Sequence, residues 1–67
     1  MLTWEDSYAI ARALIEQRPD QDLERVSLMD IYRWTLALAE FDDDPALAND
    51  AILTDIVKEW IEEANPS

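Results

Sequence analysis

Four carboxylates near the middle of the chain are the residues best suited to chemistry, at Glu40, Asp42, Asp43 and Asp44. Carboxylate oxygens are hard ligands, which suit magnesium, calcium, manganese or ferrous iron better than zinc or copper. The run lacks the alternating acids and central glycine of an EF-hand loop, so a calcium site of that kind is excluded. Spacing alone leaves three interpretations open: a weak open cation site, a docking patch for a basic surface, and a solvated loop whose charge favours the following helix N-terminus.

A second acidic turn lies earlier in the chain, at Asp20, Asp22 and Glu24. Aspartate is common in turns because its side chain accepts hydrogen bonds from nearby backbone N–H groups, so turn chemistry explains both aspartates without a binding role. Paired carboxylates can perform acid–base catalysis only in a pocket that separates their pKa values. A chain of 67 residues without glycine has little room for such a pocket, and we expect no enzyme.

Net charge is the main anomaly of the composition, since sixteen acidic residues against five basic ones leave −11 on 67 residues. Such a surface repels nucleic acid, whose binding depends on lysine and arginine, and it favours a basic protein surface or metal cations. Hydrophobic residues make up 49% of the chain, which argues against a disordered acidic segment. The absence of cysteine and histidine excludes disulfides, thiolate nucleophiles, the usual zinc sites and imidazole catalysis. No apolar run approaches the ~20 residues of a membrane span, and we expect a cytoplasmic protein.

Hydrophobic periodicity predicts an all-α fold, a compact three-helix domain with helices at about residues 6–17, 28–39 and 49–64. The second helix is apolar on most of its sides, which predicts that it is the central helix. We expect a single domain over residues 1–67, with a frayed tail at 65–67.

Capping signals support these boundaries. Asn49 suits the N-cap of the last helix, because its side-chain oxygen can accept from an unpaired N–H one turn in. Ser27 to Asp30 spells a capping box with aspartate in place of the usual glutamate. Asp22 could cap one short helical turn, and Trp60 falls on the core stripe of the last helix.

Several short strings along the chain resemble one protein family. They are Trp4-x-Asp6, Arg18-Pro19-Asp20-x-Asp22, Asp30-Ile31-x-x-Trp34 and, most specific, Phe41-Asp42-Asp43-Asp44-Pro45-x-x-x-Asn49-Asp50-x-Ile52-Leu53, with Trp60 at the close. The arrangement resembles the IscX family, the small acidic accessory protein encoded with the ISC iron–sulfur cluster assembly machinery of bacteria. The likeness covers nearly the whole chain. Ala48 stands where family members often have serine, a departure that weakens a local cap and leaves the function untouched.

The resemblance implies a fold of modified winged-helix type, with at most very short strands. It also implies a non-catalytic accessory that docks on the cysteine desulfurase of the ISC system, on a basic surface that the frataxin homologue also uses. Partner-binding residues carried over from the family's motifs are Asp20, Asp22, Asp30, Glu40, Asp42, Asp43 and Asp44. Weak binding of ferrous iron (Fe2+) is implied for Glu40, Asp42, Asp43 and Asp44, with no tightly bound cofactor.

Three functions remain open on the sequence. The leading hypothesis is an adaptor that regulates the desulfurase and whose binding weakens steeply with salt. The second is a ferrous-iron carrier, which needs carboxylates within coordination distance of one another and would bind no tighter than about micromolar. The third is an acidic winged-helix module that mimics DNA, since direct binding of nucleic acid is excluded by the charge of −11. We expect a monomer with no membrane association.

Overall fold

The computed structural model describes residues 1–64 of the chain. It contains three α-helices, α1 over Ser7–Gln17, α2 over Leu28–Leu36 and α3 over Asp50–Ala64. Two 3₁₀ turns connect them, a first at Leu23–Arg25 and a second at Pro45–Leu47. The all-α fold of three helices is therefore confirmed. None of the helices in this part of the chain is long and apolar enough to cross a membrane. The tail at 65–67, which we expected to fray, lies outside the described residues.

The second helix ends three residues before the predicted position 39. The N–H of Leu38 donates to the carbonyl of Thr35 at 3.1 Å, which closes a tighter turn than the α-helical ladder. The Thr35 hydroxyl in turn donates to the carbonyl of Ile31 at 2.7 Å, a bond of the kind that bends helices. The turn carries Leu38 into the core, where it is 3% exposed.

The central helix is α3, and the prediction that α2 takes this place was wrong. α3 packs along α1 and also contacts α2, whereas α1 and α2 touch each other only slightly. α2 is only nine residues long, and two of its apolar side chains are exposed, Met29 at 59% and Leu36 at 36%. Its apolar character therefore does not mean that neighbours surround it, because apolar side chains also occur on protein surfaces.

The core is built from large apolar side chains of the N-terminal segment, all three helices and the turn that follows α2. They are Trp4, Ile10, Leu14, Ile31, Leu38, Leu53, Ile56 and Trp60. The predicted core position of Trp60 is confirmed, since only 2% of it is exposed. At one edge of the core the guanidinium of Arg18 lies 4.0 Å from the centre of the Trp34 ring, an arrangement that attracts the cation to the π face.

The N-terminal segment docks through one isolated parallel bridge between Leu2 and Phe41. The N–H of Leu2 donates to the carbonyl of Glu40 at 2.7 Å, and the N–H of Asp42 donates to the carbonyl of Leu2 at 2.9 Å. This bridge agrees with the expectation of very short strands. Residues 1–64 contain no β-hairpin that could serve as a wing, so the winged-helix part of the expectation is not confirmed and stays a prediction.

Candidate partner-binding and cation site

The acidic run is held against the core by Trp4, which lies about 40 positions earlier in the chain. The backbone N–H of Trp4 donates to Oδ2 of Asp43 at 3.1 Å, and its indole Nε1–H donates to the backbone carbonyl of Asp44 at 2.9 Å. The ring of Phe41 meets the Trp4 ring edge-on, with centroids 4.6 Å apart. Because Trp4 is only 3% exposed, these contacts fix the run at one place on the surface.

Asp43 and Asp44 use their carboxylates to build this loop. Oδ2 of Asp43 accepts from Trp4, and its Oδ1 accepts from the N–H of Asp44 at 2.8 Å. Oδ1 of Asp44 accepts from the N–H of Ala46 at 2.9 Å and so caps the second 3₁₀ turn. Pro45 follows as the first residue of that turn, where its missing N–H costs nothing. Both aspartates therefore have a structural role that their charge alone does not reveal.

Glu40 and Asp42 differ from these two aspartates. Both side chains are exposed, and within residues 1–64 neither carboxylate has a hydrogen bond or an ion pair. They flank Phe41, whose side chain packs inward on Trp4. The backbone on both sides is held by Leu2, whose N–H donates to the carbonyl of Glu40 and whose carbonyl accepts from the N–H of Asp42. The run thus presents two solvent-facing carboxylates on a backbone that is firmly held.

The earlier acidic residues divide in the same way. Oδ1 of Asp22 accepts from the N–H of Glu24 at 3.0 Å, which confirms that Asp22 caps the first 3₁₀ turn, and its Oδ2 lies 3.7 Å from Nε of Arg25. Asp20 is exposed, and its carboxylate has no partner in the part of the chain that the structure describes. Asp20 therefore belongs with Glu40 as a carboxylate available to a partner.

Asp30 completes the predicted capping box at the start of α2. Its Oδ2 accepts from the N–H of Ser27 at 3.1 Å, while the Ser27 hydroxyl accepts from the N–H of Asp30 at 3.1 Å. Its Oδ1 accepts from the Arg33 guanidinium at 2.8 Å. The Ser27 N–H and then Arg33 stabilise the charged form and lower the pKa of Asp30 below its ordinary value. An engaged carboxylate of this kind has less to offer a second partner.

The predicted cation ligands are not gathered into one site among residues 1–64. No group of three or more carboxylates in this part of the chain is placed to hold a metal ion. Both oxygens of Asp43 and Oδ1 of Asp44 already accept backbone N–H groups, which leaves these three oxygens less available to a cation. The iron assignment of Glu40, Asp42, Asp43 and Asp44 stays a prediction.

Fold and surface together define a small, acidic, helical domain, and comparison with known proteins identifies its family. Residues 2–65 match the family model described as Iron-sulphur cluster assembly. An uncharacterized protein of Pseudomonas aeruginosa is 40% identical to this chain over 62 residues, which cover 92% of this chain and 94% of that relative. The chain belongs to this iron–sulfur cluster assembly family, and the resemblance to IscX is confirmed. Membership supports a role in cluster assembly and an interaction with the assembly machinery.

Proposed function

We propose that this protein is a non-catalytic accessory of iron–sulfur cluster assembly that docks on the cysteine desulfurase through its acidic surface. The observation that carries the proposal is the pair of exposed, unpaired carboxylates of Glu40 and Asp42 on a firmly held loop. A side chain on a backbone that is already held in place loses less conformational freedom on binding, so more of its interaction energy appears as affinity.

Electrostatics favour a basic partner surface. The chain carries −11, and complementary charge accelerates diffusional encounter and suppresses wrong partners. One exposed ion pair contributes only about 0.2–1 kcal/mol, so docking needs several carboxylates at once. Glu40 and Asp42 supply two of them, and Asp20, which is also exposed and unpaired within residues 1–64, is the proposed third.

The test is calorimetric titration of the protein into its host's cysteine desulfurase at low salt and at 0.5 M salt. The site variant is Glu40→Gln with Asp42→Asn. The matched control is Asp55→Asn with Glu62→Gln, which also removes one aspartate and one glutamate charge, from exposed positions of α3 that have no ion pair within residues 1–64. We expect the site variant to bind about tenfold more weakly at low salt and the control to bind nearly as wild type does.

High salt separates the outcomes further. The screening length falls from about 8 Å at physiological ionic strength to about 3 Å at 1 M salt. The difference in affinity between wild type and the site variant should therefore be smaller at 0.5 M than at low salt. Equal weakening by both variants would mean that total charge matters and that the run is no specific site. Wild-type protein that fails to bind the desulfurase at any salt concentration would refute the proposed function.

Weak binding of ferrous iron is the second part of the proposal. Glu40 and Asp42 are the predicted ligands with both carboxylate oxygens free of hydrogen bonds within residues 1–64. Two carboxylates completed by water imply an affinity no tighter than about micromolar. Anaerobic calorimetry with ferrous iron measures this directly. Loss of the heat of iron binding in the Glu40→Gln, Asp42→Asn variant supports the assignment. An unchanged heat of binding would mean that other carboxylates hold the iron.

A further inference from the structure

An open apolar groove of ≈ 400 Å³ lies beside the acidic run, between the start of α2 and the start of α3. Met29 and Tyr32 form one wall, Pro45 and Ala46 of the second 3₁₀ turn form the other, and Leu53 lies at the base. Leu53 is 7% exposed, whereas Met29 is 59% exposed. The groove therefore joins the surface to the core and leaves a flexible apolar side chain uncovered at its edge.

We propose that this groove receives an apolar side chain of the docked partner, from a segment in which lysine or arginine lies next to that side chain. The inference rests on the proposed function, because it deepens the same docking event. It assigns a second, uncharged component to an interface that the acidic run alone would make purely electrostatic.

Charge around the groove selects the occupant. Asp50 lines it, and Asp44 caps the turn that forms one wall. Arg33 of α2 is held by Asp30 at 2.8 Å and so offers little positive charge to the rim. A segment with basic residues beside an apolar one matches an acidic rim around an apolar floor.

Continuity with the acidic run supports the same occupant. The wall formed by Pro45 and Ala46 is the turn that immediately follows Asp42 to Asp44, so one partner segment can reach the carboxylates and the groove together. A second copy of the chain fits less well, because it would bring a second net charge of −11 to an acidic rim. Met29 suits a varied partner, since methionine is unbranched and polarisable and adapts its shape to what it contacts.

The test adds two variants to the titration with the desulfurase. Met29→Gln keeps side-chain length, charge and helix propensity but replaces the thioether with an amide. Ile61→Gln is the control, because Ile61 is similarly exposed, at 44%, and does not line this groove. We expect Met29→Gln to weaken binding about tenfold at low and at high salt alike, as loss of buried apolar surface requires. We also expect a less negative heat-capacity change on binding.

Each outcome decides the inference separately from the proposed function. Binding that depends on Glu40 and Asp42 but is unchanged by Met29→Gln overturns the proposed role of the groove and leaves the proposal of acidic docking intact. A wild type that does not bind overturns both. Analytical sedimentation of the free protein tests whether a second copy of the chain occupies the groove. A concentration-dependent dimer that Met29→Gln abolishes would assign the groove to self-association and overturn the inference.

Discussion

Replacing Asp43 with alanine tests whether the acidic run owes its position to the N-terminal segment. The change removes a carboxylate that accepts two backbone N–H groups, from Trp4 at 3.1 Å and from Asp44 at 2.8 Å. Trp4 is 3% exposed, so its N–H has little access to water as a substitute partner. An unpaired buried donor is the costly part of this substitution.

The magnitude follows from these two bonds. A hydrogen bond to a charged group contributes about 1.5–3 kcal/mol, and a local bond about 1 kcal/mol. Removing one carboxylate from a chain at −11 relieves some self-repulsion and offsets part of this loss. We therefore expect the free energy of unfolding to fall by about 2 kcal/mol, which lowers the melting temperature of a domain this small by about 8–16 °C.

Thermal unfolding followed by circular dichroism measures this effect, and Asp42→Ala is the matched control. Asp42 is the preceding residue and carries the same charge, but its carboxylate has no partner within residues 1–64. Its replacement should change stability by less than about 0.5 kcal/mol. Equal melting temperatures for the two variants would refute the reasoning, because the bond to Trp4 would then contribute nothing net.

Three further changes test other contacts. Arg18→Gln removes the guanidinium that lies 4.0 Å from the Trp34 ring centre, and we expect a loss of about 1 kcal/mol in a urea titration followed by tryptophan fluorescence. Ile56→Ala empties a fully buried position of α3 and should cost about 3 kcal/mol in the same titration, so a cost below about 1 kcal/mol would contradict the packing described. Hydrogen bonds from the Ser27 N–H and then from Arg33 lower the pKa of Asp30 below its ordinary value in the folded chain. Its contribution to stability is therefore present above the unfolded pKa and is lost as pH falls through the folded one. The stability difference between wild type and Asp30→Asn should therefore close at acid pH, and a difference that stays constant down to about pH 2 would contradict the capping role.

The parts of the fold that the sequence predicted are those set by local chemistry. Asn49 caps α3, with its Oδ1 accepting from the N–H of Ile52 at 2.9 Å. Ser27 and Asp30 form the capping box, and Trp60 packs in the core as its periodic position predicts. Each of these features depends on residues within a few positions, so spacing alone carries the information.

The parts that the sequence did not predict depend on distant residues or on competition between bonds. The α2 boundary was placed too late because the Thr35 hydroxyl and the buried Leu38 favour a turn over another helical residue. The bond between Trp4 and Asp43 spans 39 positions, and no local pattern points to it. The nearest signal was a pair of separate family strings, Trp4-x-Asp6 and the string that begins at Phe41, and two separate strings give no contact between them.

Net charge is a poor guide to which of these carboxylates binds a partner. Asp42 and Asp43 are adjacent and chemically identical, yet one faces solvent and the other holds the loop to Trp4. Changing Asp42, Asp43 and Asp44 together would therefore remove a contact and displace its support in one step, and lost binding could not be assigned to either. Separate variants resolve the two roles. Lost contact at Asp42 should weaken binding in a salt-dependent way at unchanged melting temperature, whereas lost support at Asp43 should lower the melting temperature even when no partner is present.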